Sequence, residues 1–119
     1  MNLKRVKGDA GETYTAKWLR KRHYKISDTN YSCRFGEVDI IAVNKDYICF
    51  VEVKTRDVNA IDRPASAVGS AKQRRIITTA QHYLASNPTD LQPRFDVAEV
   101  IMQDTKVKEF NYIENAFGE

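Results

Sequence analysis

Residues 36–54, with the sequence GEVDIIAVNKDYICFVEVK, decide the fold of this chain. Two runs rich in β-branched and aromatic residues, at positions 38–43 and 47–55, predict two strands. Between them, Lys45 and Asp46 form a candidate two-residue turn, the loop length that most often joins antiparallel strands. The segment therefore predicts a β-hairpin.

This turn fixes a register in which Asp39 lies opposite Glu52 and Glu37 lies opposite Lys54. Because side chains alternate along a strand, all four share one face. Two carboxylates with Cβ atoms about 5 Å apart repel by roughly 3 kcal/mol at an effective dielectric constant near 20. A divalent cation turns this repulsion into ligation, and Mg²⁺ is usually held by one or two carboxylates plus waters and substrate phosphates. The alternatives are a carboxylate at a solvated strand end and a plain Glu37–Lys54 ion pair.

The segments around the hairpin show either helical or strand periodicity. Helices are predicted over residues 9–23 and from Ser70 to a stop at Asn87 and Pro88. Further strands are predicted at residues 24–31, 94–102 and 107–114. The order αβββαββ predicts one α/β domain over residues 1–119, with a mixed sheet flanked by two helices. The second helix would be the crossover to a parallel strand.

Both predicted helices begin with the pattern of a capping box. Asp9 with Glu12 would cap the first helix, and Ser70 with Gln73 would cap the second. In this interpretation Glu12 has a sufficient structural role.

Basic residues are concentrated in two stretches, although the net charge is only +3. Residues 1–25 carry eight Lys or Arg against two acids, residues 54–75 carry six against two, and residues 87–119 carry three against seven. This asymmetry is typical of a polyanion-binding surface, and solvated surface charge is the alternative.

Cations at the start of the second helix oppose the helix dipole unless an anion is near, and a phosphate would resolve that conflict. We assign five residues to a nucleic-acid-binding surface: Arg34, Arg56, Lys72, Arg74 and Arg75.

Other features of the chain favour a reduced, cytoplasmic protein. There is no run of about 18 apolar residues, and no apolar segment follows the basic start, so neither a membrane span nor a secretory signal is expected. Cys33 and Cys49 have no metal-ligand spacing and are expected to be free thiols. Arg94 and Asp96 are expected to form a structural ion pair or a strand-end contact.

Asp39 followed by Glu52-Val53-Lys54 resembles the metal motif of the PD-(D/E)XK nuclease superfamily. A longer pattern resembles the YraN family of small bacterial proteins, which are similar to Holliday-junction resolvases. It covers nearly the whole chain in order: Gly11-Glu12, Gly36 to Asp39, Phe50 to Arg56, Lys72 to Arg75 and Arg94 to Val97. Val38 stands where the superfamily pattern has a proline.

The resemblance implies a restriction-endonuclease-like core and a catalytic set of Glu12, Asp39, Glu52 and Lys54. Asp39 and Glu52 would hold Mg²⁺ or Mn²⁺ with help from the Val53 carbonyl. Lys54 would position or activate water, and Glu12 would approach from the first helix. A homodimer is also an expectation, because a junction presents two symmetric strands.

Three functions follow from these observations. The leading hypothesis is a Mg²⁺-dependent nuclease that hydrolyses phosphodiester bonds in DNA, including branched or otherwise structured DNA. A non-catalytic nucleic-acid-binding module with the same fold is the second. A hydrolase of a small phosphorylated molecule is the third, disfavoured because one small phosphate needs fewer cations than the chain carries.

Overall fold

The computed structural model describes the backbone of residues 3–60 and 68–118, and the side chains of residues 8–59 and 68–118. Its elements follow the predicted order, with one short 3-10 turn, Val58–Ala60, that the sequence did not predict. They are α1 (Leu3–Lys21), β1 (Lys25–Cys33), β2 (Gly36–Val43), β3 (Tyr47–Asp57), α2 (Ser70–Ser86), β4 (Gln92–Gln103) and β5 (Lys106–Phe117). None of the helices in these ranges is long and apolar enough to cross a membrane.

The five strands form one sheet in the order β1-β2-β3-β4-β5. Sequence neighbours pair antiparallel, except that β3 pairs parallel with β4 from Tyr47 opposite Gln92 to Asp57 opposite Met102. The α2 helix lies in the connection between these two strands, as parallel neighbours require. The α/β class with a mixed sheet and two helices is confirmed, and this architecture is compatible with a nuclease-like core.

The two helices cover opposite faces of the sheet. Ile48 and Phe50 belong to the core under α2, whereas Cys49 and Val51 belong to the core that includes α1 residues Ala16 and Leu19. Burial on both faces explains why β3 reads as a continuous apolar run rather than as an alternating pattern. Both faces of the central strands are therefore covered by packed helices.

The β2–β3 hairpin has the predicted turn. The Asn44 side-chain Oδ1 accepts hydrogen bonds from the backbone N–H groups of Asp46 and Tyr47, at 2.9 and 2.7 Å. Such a side-chain acceptor stabilises a tight turn locally. The turn sets the predicted register, which runs from Val43 opposite Ile48 to Ile40 opposite Val51.

This ladder ends at the Ile40–Val51 pair, so the predicted pairs further along the hairpin are wrong. Asp39 is not a ladder partner of Glu52, nor is Glu37 a partner of Lys54. The first residues of β2, from Gly36 to Val38, pair with β1. The last residues of β3 stay paired with β4 as far as Asp57. The two strands thus separate and form a fork at Asp39.

The predicted helix starts also need correction. The first helix begins at Leu3, so Asp9 lies inside α1 and cannot be its N-cap. The N-cap of α2 is Gly69 rather than Ser70, and no side chain caps it. Instead, the Gln73 Nε2 donates to the Val68 carbonyl oxygen at 2.7 Å. The predicted end of this helix is confirmed, because Ser86 is its last residue.

Arg94 and Asp96 form the expected structural ion pair. Two guanidinium nitrogens of Arg94, Nε and Nη2, donate to the two Asp96 oxygens at 2.9 Å each. Tyr112 OH and the Asn115 backbone N–H also donate to Asp96, and the Tyr24 OH accepts from Arg94. Because every partner of the fully buried Asp96 is a hydrogen-bond donor, its charge is offset where it lies. This network ties β4 to β5.

Candidate metal and phosphate site

The fork between β2 and β3 is where the candidate site lies. The Asp39 Oδ2 accepts a hydrogen bond from the Val53 backbone N–H at 2.7 Å. The carboxylate oxygen thus accepts a hydrogen bond from the β3 backbone at the point where the β2–β3 ladder has ended. This bond fixes the Asp39 carboxylate next to the backbone of residues 52–54, which carries the predicted Glu-x-Lys motif.

Glu52 is the second carboxylate of the site and is only 8% exposed. Its Oε1 lies 2.7 Å from the Nζ of Lys72, whose side chain is 46% exposed. Lys72 was predicted to contact nucleic acid, which stays a prediction; in the structure its ammonium pairs with Glu52. The carboxylate supplies the anion that a cation in the first turn of a helix requires.

The carboxylates at the fork influence one another. The pKa of Asp39 is raised to about 7, first by burial and then by the negative charge of Glu52; the Val53 N–H and Lys72 act in the opposite direction. Glu12 also raises this pKa. In turn, burial is the largest cause that raises the pKa of Glu12, and Glu52 contributes. Glu12, Asp39 and Glu52 therefore form one electrostatically coupled cluster.

Glu12 reaches this cluster from α1, which was expected only from the family resemblance. A side chain at Gly11 would meet Thr55 Oγ1, so the absence of one lets α1 approach β3. A hydrogen bond from Asn30 lowers the pKa of Glu12, partly offsetting burial. Asn30 has a φ of +54° within β1, a conformation that Asn tolerates better than most residues. Since Glu12 is inside the helix, the capping-box alternative for this residue is wrong.

Lys54 lies two residues beyond Glu52 on β3. By strand alternation, it shares the α2 side of the sheet with Glu52. It is half-buried, and its register partner on β4 is Glu99. Lys54 is therefore on the sheet face where Lys72 meets Glu52.

The donors at the fork suit a hard cation that keeps water ligands. Among the described side chains, no group of three or more His, Cys, Asp or Glu residues is arranged to hold a metal ion. The available side chains are two carboxylates, Asp39 and Glu52, to which the family resemblance adds the backbone carbonyl of Val53. Mg²⁺ is commonly held by so few protein oxygens, with waters and substrate phosphates completing its shell. The residues present fit this ion better than a cation that needs a complete protein cage.

Two hollows lie between the β1–β2 hairpin and α2. One, of about 420 Å³, is lined by Ser32, Cys33, Gly36, Glu37, Lys72, Arg75 and Ile76. The other, of about 280 Å³, is lined by Phe35, Ala71, Arg74, Arg75 and Thr78. The structure thus brings Lys72, Arg74 and Arg75 together along one surface. Arg34 lies in the adjoining turn, with its guanidinium over the Phe35 ring.

Arg56 lies apart from these hollows, near the end of β3, where it is half-buried. Of the predicted basic stretches, the side chains of Lys4, Arg5, Lys7 and Arg63 lie outside the described residues. Sequence reasoning missed two residues beside the site. Asn30 had no periodicity signal, and Phe35 could have been noticed only as an aromatic next to Arg34 in a predicted turn.

The fold and the site define a small α/β domain with paired carboxylates at a strand fork and a basic surface beside them. The model of the uncharacterised protein family UPF0102 matches residues 11–100. A UPF0102 protein of Acetivibrio thermocellus is 46% identical over 98% of this chain and 94% of its own length. UPF0102 protein TTE1452 of Caldanaerobacter subterraneus subsp. tengcongensis is 44% identical over 96% of both chains. UPF0102 protein NE0719 of Nitrosomonas europaea is 38% identical over 95% of this chain and 94% of its own.

The chain therefore belongs to the UPF0102 family, which is the predicted YraN family. The matched region includes Glu12, Asp39, Glu52, Lys54 and Lys72, so the whole candidate site lies within it.

Proposed function

We propose that this chain is a Mg²⁺- or Mn²⁺-dependent nuclease that hydrolyses phosphodiester bonds in DNA. The observation that carries the proposal is the pair of carboxylates, half-buried Asp39 and buried Glu52, at a fork next to a basic surface. A protein that only bound nucleic acid would gain nothing from acids there, because they repel phosphate. Buried like charges that lower stability are typical of functional sites.

Asp39, Glu52 and the Val53 carbonyl would hold the cation. When bound, it would polarise the scissile phosphate and lower the pKa of a coordinated water. The pKa of Asp39 is raised first by burial and then by the charge of Glu52. The second cause supports this role, because repulsion between two ionised acids favours a divalent ion between them.

The lysines of the site would stabilise the negative charge of the phosphate. Lys54 would orient the attacking water or offset charge that develops on the phosphate in the transition state. Lys72 is partly exposed, so its ammonium can leave Glu52 for a phosphate when a metal ion takes that carboxylate. Glu12 would hold or position water on the α1 side of the cluster. Arg74 and Arg75 would bind the DNA backbone further from the cut.

Isothermal titration of Mn²⁺ into the protein tests the metal site. The wild type should bind the ion, and Asp39→Asn and Glu52→Gln should each weaken binding by about tenfold or more, since each removes one charged ligand. Asp104→Asn is the matched control, because Asp104 lies in the turn between β4 and β5 and should bind like wild type.

Thermal unfolding with and without the ion gives a second readout, since a ligand of the native state raises the melting temperature. No divalent effect on the wild type, with or without DNA, would contradict the proposal. Equal binding by wild type and both site variants would contradict it as well.

A further inference from the structure

Phe35 is an exposed aromatic residue placed among cations. It lies in the turn between β1 and β2 and is 36% exposed; Tyr14 on α1 is 41% exposed. The Tyr14 ring packs against Phe110, with ring centroids 5.0 Å apart. The Phe35 ring instead has the Arg34 guanidinium 4.8 Å from its centroid and the His82 ring 5.9 Å away, edge to face.

The turn that carries Phe35 is held tightly against α2. Gly36 has a φ of +149°, which side-chain-bearing residues rarely adopt, and a Cβ there would come within 3.2 Å of the Thr79 Oγ1. On the preceding strand, the Tyr31 OH is 2.7 Å from the His82 Nδ1. The Tyr31 ring also packs edge to face on Tyr83. These contacts hold the turn that carries Phe35 against α2.

Residues that line the two hollows link the Phe35 ring to the Lys72–Glu52 ion pair. Lys72 contacts Glu52 and lines the larger hollow together with Arg75. Arg75 also lines the smaller hollow, which Phe35 borders. A strand whose phosphate reaches the carboxylates can therefore follow Lys72 and Arg75 towards Phe35.

From this arrangement we infer that Phe35, with Arg34, stacks an unpaired nucleobase of the substrate; the inference rests on the proposed nuclease function. Aromatic rings and guanidinium groups bind any base through its π face, but the bases of a continuous duplex are already stacked. A platform of this kind therefore directs the site to DNA that has single-stranded or branched segments near the cleaved phosphate. Loss of one such stacking contact lowers affinity by about 5- to 150-fold.

Fluorescence anisotropy in EDTA, where cleavage is prevented, tests the inference with two labelled probes of one sequence. One probe is a continuous duplex and the other carries a short single-stranded gap. Phe35→Leu keeps an apolar side chain without the ring, Phe35→Trp keeps a ring, and Tyr14→Leu is the control on the other exposed aromatic. Phe35→Leu should lose about 5- to 150-fold in affinity for gapped DNA and change duplex affinity less than twofold. Phe35→Trp should bind both probes like wild type, as should Tyr14→Leu.

A direct readout uses 2-aminopurine in the gap, whose fluorescence should fall when the wild type stacks on it and should not fall with Phe35→Leu. Thermal melting of each variant confirms that it is folded. Unchanged gapped-DNA affinity in Phe35→Leu, or an equal loss on both probes, would overturn this inference and leave the proposed function standing. A wild type that binds neither probe would overturn both.

Discussion

Replacement of Asp39 by Asn should stabilise the metal-free protein at alkaline pH. Burial and the charge of Glu52 raise the pKa of Asp39 from its ordinary value of 3.8 to about 7 in the folded protein. A carboxyl group with a raised folded-state pKa contributes stability below its unfolded-state pKa, and this contribution is lost as the pH rises through the folded-state value. Each tenfold change in proton affinity corresponds to about 1.4 kcal/mol, so the ionised group costs at most about 4 kcal/mol at pH 8. An Asn side-chain oxygen can still accept from the Val53 N–H.

Urea denaturation in EDTA from pH 4 to pH 8 measures this effect. The gain in unfolding free energy for Asp39→Asn should be largest at pH 8, shrink below pH 7 and vanish near pH 4, with Asp104→Asn as the control that shows no such trend. Adding Mg²⁺ at pH 8 should stabilise the wild type more than the Asn variant, which binds the ion more weakly. An Asn variant that is less stable than wild type at pH 8, or a gain that does not change with pH, would refute the electrostatic reasoning.

Two further predictions concern the approach of α1 and the basic surface. Gly11→Ala should lower the unfolding free energy by about 1–3 kcal/mol, because its Cβ would meet the Thr55 Oγ1, and Thr55→Ala should restore part of the loss. Urea denaturation of the singles and the double variant measures this coupling, and purely additive losses would contradict it. Replacing Arg74 and Arg75 by Gln should reduce the slope of log K against log salt for duplex DNA by up to about 1.8, and an unchanged slope would mean that they face away from DNA. The matched control replaces two exposed lysines of β5, at the other edge of the sheet: Lys106 and Lys108.

Local patterns were sufficient to predict the elements and the centre of the hairpin. The register from Ile40 to Val43 followed from the two-residue turn. This turn is stabilised locally, because the Asn44 side chain accepts a hydrogen bond from the backbone of Asp46. The start of α1 was missed because Asp9 and Glu12 have the spacing of a capping box, although the helix continues back to Leu3. A residue pattern that is compatible with a helix start does not require one.

The arrangement of the site depends on contacts that sequence spacing does not reveal. The separation of β2 from β3 arises because each follows a different neighbour in the sheet, and it changes Asp39 from a strand partner of Glu52 into an acceptor for Val53. Similarly, the Lys72–Glu52 ion pair joins groups 20 positions apart. It forms only because α2 packs on the face of the sheet that carries the Glu52 side chain. From the residues alone, the choice of Asp39, Glu52 and Lys54 rested on strand alternation and on a hairpin register that the structure does not continue to these positions. The family resemblance pointed to the same three residues independently.

Cleavage of labelled DNA under single-turnover conditions tests the central proposal most directly. Duplex, gapped and four-way-junction DNA would be incubated with Mg²⁺ or Mn²⁺ and wild type, Asp39→Asn, Glu52→Gln or Lys54→Ala, all purified in parallel. Wild type should cut at least one substrate, and the two acid variants should not. Lys54→Ala should bind within a few-fold of wild type yet cut about 10²-fold more slowly or worse, the scale of losing one positioned catalytic group. A wild type that binds DNA but never cuts it, or equal cutting by all four proteins, would contradict the account.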